Sequence, residues 1–268
     1  TQSGKKRDSG IIYLVPAGSG LCFTGWQGLP VKPQGVSDGQ GHLSAMADSL
    51  ATRAVIGFGD RSADGWAQLR GYQYPQLWRN FHWRTGIFAV AASVLLLAHA
   101  RMGEPLLLAA WLGLLALVLG HNARLDRQLC DTDRRAMAPS EMSGHLLATG
   151  AVALVCCLPL VLTAWAGDPR TFLLSYLVVA TTATALTLVA AAPPAATIVF
   201  AATKAVVAVV CAIWLGEYLA AVAALAIAAA IGIGSVEISR SYLKARLSEA
   251  AIAEKSEVVS LLLREFEE

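Results

Sequence analysis

Long apolar stretches alternate with short charged ones along most of the chain. Charges cluster before Arg84, between Arg124 and Glu141, and after Glu237. A helix needs about 20 mostly apolar residues to cross a bilayer, so this alternation predicts an all-α, polytopic membrane bundle of about six transmembrane helices. The predicted spans are residues 85–101, 106–120, 146–166, 172–192, 195–215 and 218–236.

Prolines mark the irregular points of this pattern. Pro159 lies inside the third span and predicts a kink there, which neighbouring helices must compensate. Pro193 and Pro194 end the fourth span, and a turn over residues 167–170 separates the third span from the fourth. We also expect threonines of the fourth span to hydrogen-bond across helices; these are Thr181, Thr182, Thr184 and Thr187.

The distribution of Lys and Arg orients the predicted bundle, because these residues are retained on the cytoplasmic side. With the N-terminus inside, only Arg101 and Arg170 lie outside. The cytoplasmic set is Arg70, Arg79, Arg84, Arg124, Arg127, Arg134, Arg135, Arg240, Lys244 and Arg246. We therefore expect a multi-pass protein of a bacterial inner membrane with both termini in the cytoplasm.

Composition agrees with a membrane location and narrows the range of partners. Charged residues make up 15% of the chain, against roughly 25% in soluble domains. The net charge of +2 gives no basic field, so we expect no nucleic-acid partner. The five cysteines match no zinc or haem spacing, and no cofactor is expected.

The region before the first span divides into two segments. Residues 1–45 show neither helical nor strand periodicity and are predicted to be a disordered or non-native extension; Met46 is our hypothesis for the true start. Residues 46–84 are predicted to be a cytoplasmic juxtamembrane or interfacial segment, since aromatic rings alternate there with arginines that suit the lipid headgroup layer. The aromatic residues are Trp66, Tyr72, Tyr74, Trp78, Phe81 and Trp83.

Few residues of the spans offer chemistry. Lys204 is the one strongly charged residue deep in a predicted span, and intramembrane charges mark functional sites by default. It is our candidate sensing residue for an anionic ligand, a lipid headgroup or an acidic partner; the alternative is a lysine that snorkels to the cytoplasmic surface. His82, His121 and His145 fall near the cytoplasmic ends of the first three spans, where the alternatives are ligation of haem or a metal and simple interfacial placement. Asp126, Asp131 and Asp133 are the only carboxylates that a membrane-embedded transferase would have at one depth, and we interpret their segment as a solvated loop.

The C-terminal segment has a helical repeat. Residues 238–268 contain no Gly or Pro, so they can continue the last span as one helix. Apolar side chains recur every seven residues along it, at Ile238, Ala245, Ile252, Val259 and Phe266, which we call the seam. The companion positions are mixed, which predicts a marginal two-stranded coiled coil and a homodimer. The alternative is an amphipathic helix lying on a downstream domain.

Residues 254–268 resemble the linker that leads into a PAS domain in membrane-bound alphaproteobacterial signalling proteins. The resemblance implies a six-span sensor over residues 85–237 and a coiled-coil linker over residues 238–268. It further implies a missing PAS–GGDEF–EAL module, so that the full-length protein would be a diguanylate cyclase or phosphodiesterase. No catalytic motif lies in this chain, and the stimulus is not identified. The alternatives are the sensor region of a membrane histidine kinase and a small transporter.

Overall fold

A computed structural model describes residues 52–57, 70–99, 105–132, 137–189 and 193–267. Within these ranges the structure is helical, and we number the helices in chain order. They are α1 (Thr52–Ile56), α2 (Pro75–Arg79), α3 (Phe81–His99), α4 (Pro105–Gln128), α5 (Pro139–Cys156), α6 (Leu158–Ala166), α7 (Pro169–Val189), α8 (Pro194–Trp214) and α9 (Tyr218–Glu267). The predicted extension over residues 1–45, together with Met46 and Trp66, lies outside the described residues.

Six of these segments are long and apolar enough to cross a membrane. They are Phe81–His99, Leu106–Gln128, Pro139–Ala166, Pro169–Val189, Pro194–Trp214 and Tyr218–Glu249. The prediction of an all-α bundle with six spans is therefore confirmed. Large apolar side chains such as Leu97, Leu106 and Leu219 are exposed. They give the bundle an apolar outer surface of the kind that contacts lipid acyl chains.

The second and third spans are longer than the hydropathy pattern predicts. Helix α4 runs to Gln128 rather than residue 120, and α5 begins at Pro139 rather than residue 146. The added turns are polar along the sequence, but Asn122, Asp126 and His145 on them are buried. A hydropathy window ends a span at such residues, although the bundle interior accommodates them.

The third span breaks at Cys157 into α5 and α6, two residues before Pro159, where the kink is predicted. Proline has no N–H to donate to the carbonyl four residues earlier, which here belongs to Val155. The indole Nε1 of Trp111, on α4, donates to that carbonyl oxygen at 2.9 Å. A neighbouring helix thus supplies the hydrogen bond that the proline removes.

The bundle core lies around α8, which packs most extensively on α9. Ala220 and Ala224 are buried on α9, and a Cβ at Gly232 would meet Ile198 of α8 at 3.9 Å. The small residues of α9 therefore serve close helix packing inside the bundle. The threonines of α7 do not hydrogen-bond across helices as predicted: Thr181, Thr182, Thr184 and Thr187 each donate to the carbonyl four residues earlier in their own helix.

We call the end of the bundle at which α3 begins and α9 leaves it the exit end. There, residues 52–57 and 70–80, which we call the docking segment, pack against α9. Gln73 Nε2 donates to the Val55 carbonyl at 2.9 Å and to Ser239 Oγ at 3.1 Å. Val55 also lies in one buried apolar cluster with Leu243 and Leu247. The first described part of the chain is therefore joined to the middle of α9 at the exit end.

Candidate functional site

A polar cavity of about 50 Å³ lies inside the bundle near the exit end. Its apolar wall includes Phe88 and Phe200, whose rings meet edge to face with centroids 6.2 Å apart. Several polar side chains line the rest, contributed by α3, α4, α5, α7 and α8: Arg84, Asn122, His145, Thr149, Thr187 and Thr197. A cavity with an apolar wall and a few convergent polar groups is the usual form of a small-ligand site.

The polar wall is organised by one buried carboxylate. Asp126 Oδ2 accepts a hydrogen bond from Arg84 Nη1 at 2.6 Å, and Asp126 Oδ1 lies 2.8 Å from His145 Nε2. Because an ionised carboxylate only accepts hydrogen bonds, Nε2 carries the imidazole proton. The other ring nitrogen, Nδ1, faces Thr149 Oγ1 at 3.5 Å. We call Arg84, Asp126 and His145 the ion network.

Three helix ends bring the ion network together. Arg84 lies in the first turn of α3, Asp126 in the last turn of α4 and His145 in the second turn of α5. Asn122 lies one turn before Asp126 on the same face of α4, and its buried Oδ1 has no hydrogen-bond partner among the described residues. It is therefore a buried acceptor beside the cavity whose hydrogen bond no described residue supplies.

The docking segment closes the ion network from the other side. The ring of Tyr74 meets the imidazole of His145 edge to face, with centroids 5.3 Å apart. Burial of Tyr74 raises the pKa of its hydroxyl above the ordinary value, although the charge of Arg70 acts in the opposite direction. The Tyr74 phenol is therefore neutral, and it packs against the buried imidazole of His145 as an uncharged ring.

Lys204 lies at the midpoint of α8, far from both helix ends. Only 5% of the residue is exposed, and its Nζ lies 4.0 Å from the centroid of the Phe200 ring. Among the described residues Nζ has no hydrogen-bond partner. The snorkelling alternative does not fit, because the ammonium group does not reach the surface of the protein.

Two smaller cavities flank Lys204. One, of about 20 Å³, also touches Phe88, Trp111 and Cys156, so Phe88 lines both this cavity and the polar cavity. The other, of about 30 Å³, lies between α7, α8 and α9. The buried lysine and the ion network therefore lie on the two sides of the Phe88–Phe200 pair.

The three histidines singled out from the sequence do not come together. His145 is buried in the ion network, whereas His82 and His121 are exposed. No group of three His, Cys, Asp or Glu residues in the described ranges has the arrangement of a metal site. Asp131 is exposed, and Asp133 lies outside the described residues.

The ion network is the part of the site that sequence reasoning missed. The sequence pattern uses Arg84 only to orient the bundle and places Asp126 in a loop. The available signal was the spacing of Asn122 and Asp126, which places both on one helical face if α4 continues past residue 120.

The seam residues with described side chains are exposed. Ile238, Ala245, Ile252 and Val259 are all accessible, and Phe266 is 86% exposed. The residues of α9 that dock onto the rest of the chain, Ser239, Leu243 and Leu247, are buried and lie on a different face of the helix from the seam. The seam thus lies on a face of α9 that the docking segment leaves uncovered.

Comparison with known proteins adds no relative, since no family model, no curated protein and no solved structure matches this chain.

Proposed function

We propose that this chain is the membrane sensor and transmission region of a signal-transduction protein. The bundle receives the stimulus, and α9 carries the response to an output module in the cytoplasm. We propose further that this output makes or degrades cyclic di-GMP.

The continuity of α9 is the observation that carries the proposal. The helix has 50 residues, which at 1.5 Å per residue is about 75 Å. A bilayer core is only about 30 Å thick, so roughly half of α9 extends past it. A rigid helix of this length moves its far end whenever packing at its near end changes.

The two faces of α9 have different surroundings. At the exit end one face packs on the docking segment through Ser239, Leu243 and Leu247, and the seam is free to pair with a second copy of the chain. A marginal coiled coil has alternative packings that differ little in free energy. A small rotation of α9 in the bundle is therefore enough to change the pairing of the seam.

The cyclic di-GMP assignment rests on the resemblance of residues 254–268 to a PAS-proximal linker. Its first test is to read the gene beyond the codon for Glu268 for PAS, GGDEF and EAL motifs. The functional test is the intracellular cyclic di-GMP level in cells that express the natural protein with Val259→Asp and Phe266→Asp. We expect the seam variant to insert in the membrane normally and to lose regulation of that level.

The matched control is Ser260→Asp with Leu261→Asp, which adds the same charge to exposed positions of the same helix away from the seam. We expect it to regulate as the natural protein does. Unchanged regulation in the seam variant would contradict the proposal. The gene could instead encode a downstream kinase domain whose phosphotransfer is lost in the seam variant. That result would replace cyclic di-GMP metabolism by a histidine-kinase output.

A small transporter is the second candidate, and the buried polar groups favour it. Lys204 at mid-helix and the ion network near the exit end resemble the intramembrane charges that line substrate pathways. Solute uptake into proteoliposomes that depends on Lys204 would support this candidate.

A further inference from the structure

Lys204 has no counter-charge on the described part of the chain. Its Nζ has no hydrogen-bond or ion-pair partner there, and Asp126, the buried carboxylate, is already paired with Arg84 and His145. The Phe200 ring lies 4.0 Å from Nζ, within the range of a cation–π contact. One aromatic face does not replace the solvation of an ammonium group buried in a low-dielectric interior.

A second unpartnered donor lines the cavity of about 30 Å³ beside Lys204. The hydroxyl oxygen of Tyr176 is buried without a hydrogen-bond partner among the described residues. Most of the remaining wall is alanine, including Ala180, Ala183, Ala205 and Ala224, and methyl groups accept no hydrogen bonds. Two buried donors without a partner, the Lys204 ammonium and the Tyr176 hydroxyl, therefore belong to residues that line one cavity, and the other side chains of its wall offer little to accept from them.

The size of this cavity limits its occupant. A water molecule needs roughly 10–15 Å³ of such volume, so about 30 Å³ holds an object no larger than a few water molecules. A phosphate headgroup with its ester substituents is too large. A halide ion fits, and so does a carboxylate whose acyl chain passes outward between helices.

We infer that Lys204 binds a small monovalent anionic group in the cavity between α7, α8 and α9. Two sources share this chemistry, namely a free halide ion from water and the carboxylate of a fatty acid from the bilayer. The binding site stands on the cavity and its donors alone. Only the role of the anion as the stimulus rests on the proposed function. Ala224 and Ala228 of α9 form part of the cavity wall, so that an anion in the cavity would contact α9 directly.

The test is equilibrium binding to the full chain in nanodiscs prepared without halide and without free fatty acid. Radiolabelled chloride is the probe in one arm and radiolabelled oleate is the probe in the other, with gluconate as the balancing anion. We expect saturable binding of one of the two probes, and the arm that binds identifies the source. Absence of saturable binding in both arms would overturn the inference and would indicate a neutral amine with water.

Two variants localise the binding. Lys204→Met keeps the length and apolar stem of the side chain and removes the charge, so it should abolish binding, whereas Lys244→Met changes an exposed lysine of α9 and should not. Because Lys204→Met risks misfolding, Tyr176→Phe provides a second measurement. Losing one hydrogen bond to an ion should weaken the affinity by about tenfold. Wild-type affinity in Tyr176→Phe, or in a folded Lys204→Met protein, would overturn the assignment.

A readout of α9 separates this inference from the proposed function. Disulfide cross-linking along the seam, measured with and without the bound probe, reports whether occupancy moves the helix. Binding without a change in cross-linking would keep the anion site and remove it as the stimulus. If cross-linking along the seam responds to other conditions while neither probe binds, the proposed function stands and the anion site is overturned.

Discussion

Two cations in this bundle, one largely buried and one fully buried, have opposite surroundings. The guanidinium of Arg84 shares the carboxylate of Asp126 with His145, whereas the ammonium of Lys204 has only an aromatic face among the described residues. A buried charge that keeps its partners is tolerated, and one that loses them is strongly destabilising. The ion network is therefore the place where a single substitution should have the largest effect on stability.

Asp126→Asn should destabilise the protein by about 3–5 kcal/mol, because it removes the buried charge that compensates the largely buried Arg84. The matched control is Glu237→Gln, which breaks the exposed Arg240–Glu237 pair and should change stability by less than about 1 kcal/mol. Thermal unfolding of the two variants in the same detergent compares them. Equal shifts in the two variants would contradict a structural role for the ion network.

The loop residue Asp168 should contribute a pH-dependent stability to the start of α7. The Thr171 hydroxyl, the Thr171 backbone N–H and the Arg170 backbone N–H bond its carboxylate and lower its pKa below the ordinary value. A group whose folded pKa is lowered stabilises the fold above its unfolded pKa of about 3.9, and this stabilisation is lost as the pH falls through the folded pKa.

Carboxyl ¹³C NMR of Asp168 measures this directly, and its titration midpoint should lie below the ordinary value. Asp168→Asn should remove the acid-dependent increase in amide exchange over the first turn of α7. A midpoint at or above the ordinary value would contradict the capping geometry.

Residues differ in how far the sequence alone could identify them. Lys204 could be singled out because one charge in a long apolar run is conspicuous by itself. Asp126 could not, because its importance depends on Arg84 and His145, which are 42 and 19 residues away in sequence. A pairing between three helices leaves no local periodicity in the chain.

At the level of helices, the break between α5 and α6 depends both on a local sequence signal and on a tertiary contact. Pro159 could be read from the sequence as the cause of the kink. That Trp111 would donate to the Val155 carbonyl could not be read, because it depends on the rotation of α4 against α5. The α4–α5 contact is accordingly held by a specific hydrogen bond as well as by apolar packing.

Trp111→Phe should keep most of the apolar contact and remove the indole donor, so that the Val155 carbonyl is left unsatisfied in the bundle. We expect a loss of about 1–3 kcal/mol and faster amide exchange around Cys157. The matched control is Trp165→Phe, since Trp165 is 87% exposed and should respond little. Indistinguishable thermal stability of the two variants would show that the hydrogen bond does not support the kink.

The positions of the helix ends likewise depend partly on local sequence and partly on tertiary contacts. Hydropathy identified the centre of every span, because an apolar segment about as long as the bilayer is thick has few alternatives to a spanning helix. The ends of α4 and α5 were misplaced because polar residues there face the protein interior. Docking of residues 52–57 and 70–80 onto α9 was likewise unpredictable, since an aromatic and arginine-rich segment suits a lipid surface equally well.

At the level of the whole molecule, the described part of the chain is a six-span bundle with one long helix leaving its exit end. Polar groups concentrate inside the bundle, at the ion network and at Lys204, while much of the outer surface is apolar. Among the described residues, α9 is the helix that extends well beyond the bundle. Within this part of the chain, a change of packing inside the bundle therefore reaches the residues beyond the bundle along α9.

The central claim is that α9 pairs with a second copy through the seam, and cysteine cross-linking in native membranes tests it most directly. In a background without the natural cysteines, single cysteines are placed at Ile252, Val259, Phe266 and, as the control, Leu261. Facing core positions of a parallel coiled coil come within the 4.4–6.8 Å Cα separation that a disulfide spans. We expect intermolecular disulfides at the three seam positions and little at Leu261; cross-linking that is equal at Leu261, or absent at all four positions, would contradict the claim.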